Sequence, residues 1–306
     1  MRCTRRPLSA FSALESAAWS AGAVSDVYQR GFGPLTALTA PALLRAASYD
    51  PRTDDLLDAA TGPGQVMSAA LDAGAGEKRV IGIDFSRAML DLAAERLATH
   101  RTSLKGVPWR EGNLEDLSSV VKNESFDVVV CAFGVLHLGD PDAFLKEAVR
   151  CLRPGGRLAF SVWAAPPATE GFEITLNAID ECGDSSVVEQ LPPGPPFFRF
   201  ADAEECLRSC VAAGFEANEV KTITHPQTWR LPSLDTLFET MRDGTARTRA
   251  TLELQSDAQL EEIQAQMREA CAARGGWDAS GVVELEMPAV ITVAVITVGA
   301  HSILFG

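Results

Sequence analysis

The chain has 306 residues, of which 46% are hydrophobic, so it can bury a sizeable core in one large α/β domain or two small ones. Its formal net charge of -14 argues against DNA or RNA as a partner, because nucleic-acid binders usually carry a basic face. The seven cysteines form no Cys-x-x-Cys pair, so the sequence indicates neither a disulfide framework nor a metal site.

The first fifty residues predict helices rather than sheet. Residues 1–14 contain several arginines and no acidic residue, which is typical of an extension that is disordered or directs a chain to an organelle. Residues 10–48 predict one or two amphipathic helices, broken around the sequence Gly31-Phe-Gly-Pro34. We interpret residues 15–50 as a helical lid over a site formed elsewhere in the chain.

A regular alternation of strands and helices begins near residue 54. Strands that alternate with helices build βαβ units, a parallel sheet and right-handed crossovers, so this half of the chain predicts an α/β fold. The strand-like runs are residues 56–60, 80–83, 126–131 and 157–162.

The second half of the chain is less regular. The proline-rich stretch 166–196 is incompatible with regular helix and predicts a loop or insertion over residues 166–200. A helix over 202–213, ended by Gly214, precedes a strand from Phe215 to about Thr224.

The end of the chain predicts a helical insertion and a last strand. Residues 233–274 read as helix within an insertion over 230–280, and residues 282–298 read as strand. Residues 289–306 hold no Asp, Glu, Lys or Arg, but their Val, Ile and Thr alternation favours a buried strand over a membrane anchor. We therefore expect a cytoplasmic protein with no membrane span, and organelle targeting is the open alternative.

A glycine-rich turn follows the first predicted strand. In Leu56-Leu-Asp-Ala-Ala-Thr-Gly-Pro-Gly64 the two glycines let the backbone approach a ligand beside the unpaired N–H groups of a helix over about 65–73. Asp84 ends the next strand, where an acidic side chain in doubly wound folds accepts hydrogen bonds from ribose hydroxyls. The sequence therefore predicts a nucleoside-containing ligand.

Two nucleoside cofactors agree with this pattern. A dinucleotide fingerprint requires a third glycine where this chain has Met67. Asp58, beside the turn, repels a pyrophosphate but can pair, directly or through water, with the ammonium group of a methionyl moiety. A cationic ligand is favoured, and a nicotinamide-dependent dehydrogenase is the alternative by motif.

With these residues in place, the chain resembles the class I S-adenosylmethionine-dependent methyltransferases, within the small-molecule group that includes the ubiquinone and menaquinone biosynthesis type. Residues 58–64 match the first motif of the family, and Asp84 with Phe85 match the ribose-binding acid and its adenine-packing neighbour. Residues 111–115 are similar to the block that holds the adenine amino group. Residues 126–131 and 152–158 resemble the fourth and fifth strands.

The resemblance implies a doubly wound, seven-stranded, mostly parallel sheet of order 3-2-1-4-5-7-6, with the last strand antiparallel. It implies a single domain over residues 15–306, with the cofactor-binding core at 54–163 and the second half of the sheet at 201–306. It also implies S-adenosyl-L-methionine as the cofactor, and the binding residues that it implies are Asp58, Ala60, Gly62, Gly64, Asp84, Phe85, Met89, Gly112, Asn113, Leu114, Cys131 and Phe133.

Three residues depart from the family pattern. Ala60 stands where many members have a glycine, and Pro63 removes one backbone N–H from the turn. Asn113 replaces the usual aspartate, so its oxygen accepts a hydrogen bond without the added attraction of a charge.

Methyl transfer is an in-line displacement at a sulfonium, so the protein chiefly aligns the acceptor and excludes water. His137, which follows the fourth strand, is the candidate general base, and Tyr28 in the lid is the candidate contact to the methionyl group or the acceptor. Both residues also have a purely structural interpretation. The aromatic residues that are candidates to shape an apolar acceptor pocket are Trp163, Phe172, Phe197, Phe198, Phe200, Trp229 and Phe238.

The favoured function is transfer of a methyl group to a small, partly apolar molecule, with an oxygen, carbon or nitrogen acceptor. One alternative is a protein of the same fold that uses the bound cofactor for another reaction, such as a cyclisation. The other alternative is a nucleoside-binding protein without catalytic activity.

Overall fold

The computed structural model describes residues 9–100, 107–274 and 282–296, so the basic start of the predicted extension and the chain after residue 296 lie outside the described residues. Ten helices are present in these ranges: α1 Ala10–Ser20, α2 Gly22–Ala46, α3 Gln65–Asp72, α4 Arg87–His100, α5 Pro141–Cys151, α6 Glu170–Cys182, α7 Ala203–Ala213, α8 Thr236–Asp243, α9 Arg247–Glu253 and α10 Asp257–Ala273. The strands are β1 Leu56–Ala59, β2 Val80–Asp84, β3 Trp109–Glu111, β4 Phe126–Ala132, β5 Leu152–Trp163, β6 Lys221–His225, β7 Thr228–Leu231, β8 Val283–Glu286 and β9 Ala289–Val295.

The main sheet has the order β3-β2-β1-β4-β5-β9-β6. Strands β1 to β5 pair in parallel, and β9 runs antiparallel to both β5 and β6. The predicted fold class, strand order and antiparallel last strand are confirmed. The order reverses between β1 and β4, and in open α/β sheets ligands bind at the carboxyl ends of the strands at such a reversal.

Neighbouring residues of the central strands point to opposite faces of the sheet, because side chains alternate along a strand. Leu56 and Val128 lie in one buried cluster, while their neighbours Leu57 and Val129 lie in another, and all four are fully buried. The strands therefore read as continuous apolar runs, as expected for a sheet covered by helices on both faces.

Helix α2 is continuous across Gly31-Phe-Gly-Pro34, so the predicted break there is wrong, and the chain instead turns at Ala21. Tertiary contacts stabilise the helix despite the glycines and the proline, which favour a break. The indole Nε1 of Trp229 donates to the Gly31 carbonyl at 3.1 Å, and the Thr36 hydroxyl donates to the carbonyls of Phe32 and Gly33. These bonds occupy backbone oxygens close to the point where Pro34 provides no N–H.

Helix α6 corrects the prediction that residues 166–196 exclude regular helix. The prolines of this stretch flank the helix on both sides and none lies inside it. Phe172, Ile174 and Ile179 are buried on its inner face.

The last two predicted strands also need correction. A short 3-10 turn over Ala217–Glu219 delays β6 until Lys221. The predicted strand 282–298 is divided at Pro288: β8 pairs with β7 in a separate ribbon, and β9 enters the main sheet. Pro288 has no N–H to donate, and its carbonyl accepts from the backbone N–H of Ala164.

In the ranges that the structure covers, no helix is both long enough and apolar enough to cross a bilayer.

Candidate active site

The turn after β1 is held open by left-handed backbone conformations. Ala60, Gly62 and Gly64 have φ angles of 56°, 51° and 77°. The Thr61 N–H donates to the Ile83 carbonyl at 2.9 Å, which ties the turn to β2. A Cβ atom added to Gly62 would meet no atom within 4 Å, so this part of the turn borders open space, whereas one added to Gly64 would press on Leu97 of α4.

Asp84 connects the second strand to this turn. Its Oδ2 accepts the Gly62 N–H at 2.9 Å, and its Oδ1 accepts the Ser86 N–H at 2.9 Å. Burial raises the pKa of Asp84 to about 6, despite these hydrogen bonds. The carboxylate is thus fixed in orientation at the carboxyl end of β2.

Asp58 lies underneath the turn and is fully buried. Its Oδ2 accepts the Thr61 hydroxyl at 2.6 Å, but its Oδ1 has no hydrogen-bond partner in the described part of the chain. Burial raises the pKa of Asp58 to about 7, and the nearby charge of Asp84 adds to the effect. An unpartnered buried carboxylate oxygen is costly unless a ligand or water pairs with it.

A first cavity opens between this turn and the lid, with about 750 Å³ of unfilled space including its mouth. The predicted residues that line it are Tyr28, Ala60, Gly62, Asp84, Phe85, Met89, Leu114, Phe133 and His137. Lining residues that the sequence did not single out as site residues are Trp19, Thr36, Thr61, Pro63, Gln65, Val66, Ala132, Gly134 and Leu138.

The other predicted cofactor residues do not line this cavity. Asp58 and Gly64 lie in or beneath the turn, and the N–H of Gly112 donates to the Asp84 carbonyl at 3.0 Å. Asn113 is exposed, and its side-chain oxygen accepts the backbone N–H of Glu115 rather than pointing into the cavity wall. Cys131 is fully buried, which raises the pKa of its thiol.

A second cavity, with about 1520 Å³ of unfilled space including its mouth, adjoins the first. Phe32, Trp163, Phe172, Phe197 and Phe198 line it, so four of the seven predicted aromatic candidates are found there. The remaining three, Phe200, Trp229 and Phe238, are buried at 2%, 3% and 2% exposure and belong to the hydrophobic core instead.

Four residues line both cavities where the two adjoin, and we call this set the shared wall: Trp19, Tyr28, Phe133 and His137. The Trp19 ring packs edge-on against Tyr28 at 5.2 Å and against His137 at 5.0 Å between ring centroids. Burial raises the pKa of Tyr28 to about 12, so its phenol is neutral at physiological pH. The structure thus brings together the two residues that the sequence proposed as catalytic candidates.

His137 is held by a carboxylate that the sequence did not single out. Its Nδ1 lies 3.0 Å from Oε2 of Glu15, which also accepts the Trp19 indole N–H at 2.9 Å. The Nε atom of Arg247 lies 3.2 Å from Oε1 of the same carboxylate. One signal for Glu15 was present: Phe11, Glu15 and Trp19 follow one another at helical spacing, which places an acidic residue in the apolar stripe of α1.

Fold and site together define an α/β protein with a nucleoside-type cleft and an adjoining apolar cavity. A family model described as a methyltransferase domain matches residues 57–160. A demethylmenaquinone methyltransferase of Clavibacter sepedonicus is 31% identical over 180 residues, which are 55% of this chain and 68% of that protein. One of the same name from Deinococcus radiodurans is 35% identical over 131 residues, 43% of this chain and 50% of that protein.

A solved structure agrees at the level of the fold. Phosphoethanolamine N-methyltransferase 2 of Haemonchus contortus, in complex with phosphomonomethylethanolamine and S-adenosylhomocysteine, matches with a TM-score of 0.54 and 16% identity. The match covers 94% of this chain and 60% of that one. The chain belongs to the class I S-adenosylmethionine-dependent methyltransferases, and S-adenosylmethionine is the cofactor of this family.

Proposed function

We propose that this chain transfers a methyl group from S-adenosylmethionine in the first cavity to a small, largely apolar molecule in the second. The observation that carries the proposal is the shared wall. A methyl group can pass between two molecules only where both reach the same point, and the two cavities adjoin along these four side chains.

The charges around the first cavity favour a cationic ligand. Asp84 is a carboxylate in its lining, and no lysine or arginine is among the described residues that line it. The unpartnered Oδ1 of Asp58 adds negative character beneath the turn. A dinucleotide would place a pyrophosphate beside these carboxylates without a compensating cation, whereas a sulfonium and an ammonium group are attracted to them.

Several lining residues have a role in this proposal. Asp84 accepts hydrogen bonds from the ribose hydroxyls, and Phe85, Met89 and Leu114 pack on the adenine ring. When bound, S-adenosylmethionine supplies an electrophilic methyl group. The rings of Trp19 and the other wall residues exclude water and attract the positive charge through their faces.

The acceptor cavity has a chemical character of its own. Its aromatic lining favours a flat, apolar molecule, and such pockets place a few polar groups to orient the ligand. The relatives named demethylmenaquinone methyltransferase support naphthoquinols as the first acceptors to test.

The test uses the purified chain, S-adenosylmethionine with a labelled methyl group, and a panel of naphthoquinols and naphthols. We expect label in an acceptor product identified by mass spectrometry. Phe172→Leu is expected to raise the acceptor KM by roughly tenfold through lost packing, and to leave cofactor affinity unchanged, because Phe172 lines only the second cavity. Turnover of an acceptor without label in the product would instead favour the non-methylating reaction.

A further inference from the structure

Glu15 lies next to the shared wall and contacts two of its members, Trp19 and His137. Its side chain is 2% exposed, yet it carries a carboxylate in the apolar stripe of the first helix. Burying a charge without partners is strongly unfavourable, and Glu15 has three donors: the Trp19 indole, the His137 imidazole and the Arg247 guanidinium. None of the predicted cofactor contacts explains why a carboxylate with three donors is buried here.

Arg247 fixes the other side of the carboxylate. Its guanidinium also donates to the Pro195 carbonyl at 2.9 Å and to the Leu136 carbonyl at 3.1 Å, and it lies 4.3 Å from the centre of the Phe11 ring. These contacts come from α1, the loop before α7 and the segment after β4. Glu15 is thus held in place by several parts of the fold as well as by Trp19 of its own helix.

The contact to Glu15 determines which nitrogen of His137 carries the proton. Burial alone raises the pKa of Glu15, but the charge and hydrogen bond of His137 and the charge of Arg247 outweigh it, and the pKa lies below its usual value. An ionised carboxylate only accepts, so Nδ1 of His137 must carry hydrogen. In neutral imidazole Nε2 then has the free lone pair.

Nε2 of His137 has no hydrogen-bond partner among residues 9–100, 107–274 and 282–296, while the ring borders both cavities. A buried carboxylate that orients an imidazole, with the far nitrogen free at a reaction site, is the arrangement of a general base. The charged groups that face this ring are Glu15 on α1, Arg247 on α9 and Asp84 at the end of β2.

We propose that Glu15 is a positioning residue that holds His137 as the Nδ1–H tautomer, and that Nε2 of His137 takes the proton of an aromatic or enolic hydroxyl acceptor. This inference rests on the methyl-transfer function proposed above. In the step, the acceptor O–H bond breaks and its proton binds Nε2. The acceptor oxygen forms a bond to the methyl carbon, the carbon–sulfur bond breaks, and the sulfonium becomes a neutral thioether. The product is a methyl ether.

The first experiment reads the tautomer and needs no acceptor. Long-range proton–nitrogen NMR of protein labelled with ¹⁵N-histidine distinguishes the two tautomers, and His137→Gln assigns the signal. We expect neutral His137 to be the Nδ1–H form in the wild type and to change mainly to the Nε2–H form in Glu15→Leu.

Glu115→Leu is the matched control for this experiment. Glu115 is a carboxylate that accepts the N–H groups of Gly139 and Asp140, so it supports the same segment without contacting His137. We expect the tautomer to be unchanged in this variant. A wild-type His137 that is mainly the Nε2–H form overturns the proposal, whether or not Glu15→Leu folds.

The second experiment uses 2-naphthol, which is flat and apolar and has one hydroxyl group. We expect its methyl ether from the wild type, a loss of kcat of roughly 100-fold or more in His137→Gln, and of roughly tenfold in Glu15→Leu with little change in KM. A wild type that binds S-adenosylmethionine and methylates naphthoquinols on carbon, but forms no ether from 2-naphthol, contradicts the hydroxyl inference alone. Failure to transfer label to any acceptor contradicts the proposed function instead.

Discussion

At the scale of single residues, backbone strain is concentrated at the site. Among the described residues, the non-glycine positions with positive φ are Ser48, Ala60, Glu124 and Phe133, and two of them line the first cavity. A bulky residue rarely adopts this conformation, and such strain persists where the surroundings impose it. The Phe133 N–H donates to the Ser161 carbonyl at 3.0 Å, and its ring stacks on Trp163 at 4.1 Å, which fixes the conformation.

Ala60 gives the first prediction. A side chain in the left-handed region is unfavourable, and glycine avoids the cost, so Ala60→Gly is expected to raise the free energy of unfolding by about 1 kcal/mol. Gly62 adopts nearly the same φ, so Gly62→Ala is the reverse control and is expected to lower stability by about 1 kcal/mol. Urea denaturation measures both. Equal stability of the wild type and Ala60→Gly would show that the turn is not strained.

Some residues of the site were predictable from the sequence and others were not. Asp84 and Phe85 border the cavity because they end and directly follow β2, which pairs with β1 beside the reversal in strand order. The carboxyl end of such a strand faces the ligand site, so the position of these two residues follows from the fold. Asn113 is displaced from it because a short bridge to Asp116 turns its side chain back on its own loop, and this local geometry is not visible in a motif. Glu15 lies 122 positions from His137 in the chain, and no spacing rule connects them.

At the scale of elements, α2 depends on one close approach. Gly31 packs against α8, and a Cβ atom added to it would lie 2.4 Å from Cγ2 of Thr240. The same glycine provides the carbonyl that Trp229 of β7 binds. Gly31 therefore permits close packing of the lid helix on the later helices, although in the sequence it is a signal for a helix break.

Gly31→Ala is expected to lower the free energy of unfolding by roughly 1–3 kcal/mol, because the buried, branched Thr240 side chain cannot move away without disturbing its neighbours. Gly22→Ala is the matched control, since Gly22 begins the same helix and has no atom within 4 Å of an added Cβ. We expect it to leave stability unchanged or slightly raised. Thermal melts of the two variants decide the matter, and equal melting temperatures would contradict the packing argument.

The order of the main sheet was predictable because the strand-like runs and the family motifs occur in the expected succession. The errors share one physical cause, which is that tertiary contacts override local signals. The division of β8 from β9 at Pro288 depends on the pairing of β8 with β7, which lies far away in the chain. Helix α6, between the prolines of the 166–196 stretch, depends on the burial of its inner face.

At the scale of the whole molecule, two buried carboxylates without a cation make the cofactor-free protein sensitive to pH. The pKa values of Asp58 and Asp84 are raised to about 7 and about 6, so the folded state holds protons that the unfolded state releases near 3.8, the ordinary pKa of an aspartate. The stability that these bound protons contribute is fully present below pH 3.8 and is lost as the pH rises through 6 and 7.

We expect the free energy of unfolding of the cofactor-free chain to fall by about 4 kcal/mol between about pH 5 and about pH 7.5. Asp58→Asn is expected to reduce this dependence, because it removes one of the two buried ionisations. S-adenosylmethionine, as a cation, is expected to raise the melting temperature more at the higher pH. A stability that rises over this range in the wild type would contradict the assigned burial of these charges.

We propose that the turn after β1 and Asp84 form the site for S-adenosylmethionine. Titration calorimetry tests it directly. We expect the wild type to bind one S-adenosylmethionine per chain, and Asp84→Ala to lower the affinity by roughly tenfold to a hundredfold through loss of charged hydrogen bonds. Asp91→Ala, which removes an exposed partner of Arg87, is expected to leave the affinity unchanged. A wild type that binds no S-adenosylmethionine, or binds a reduced nicotinamide dinucleotide more tightly, would contradict this assignment of the site.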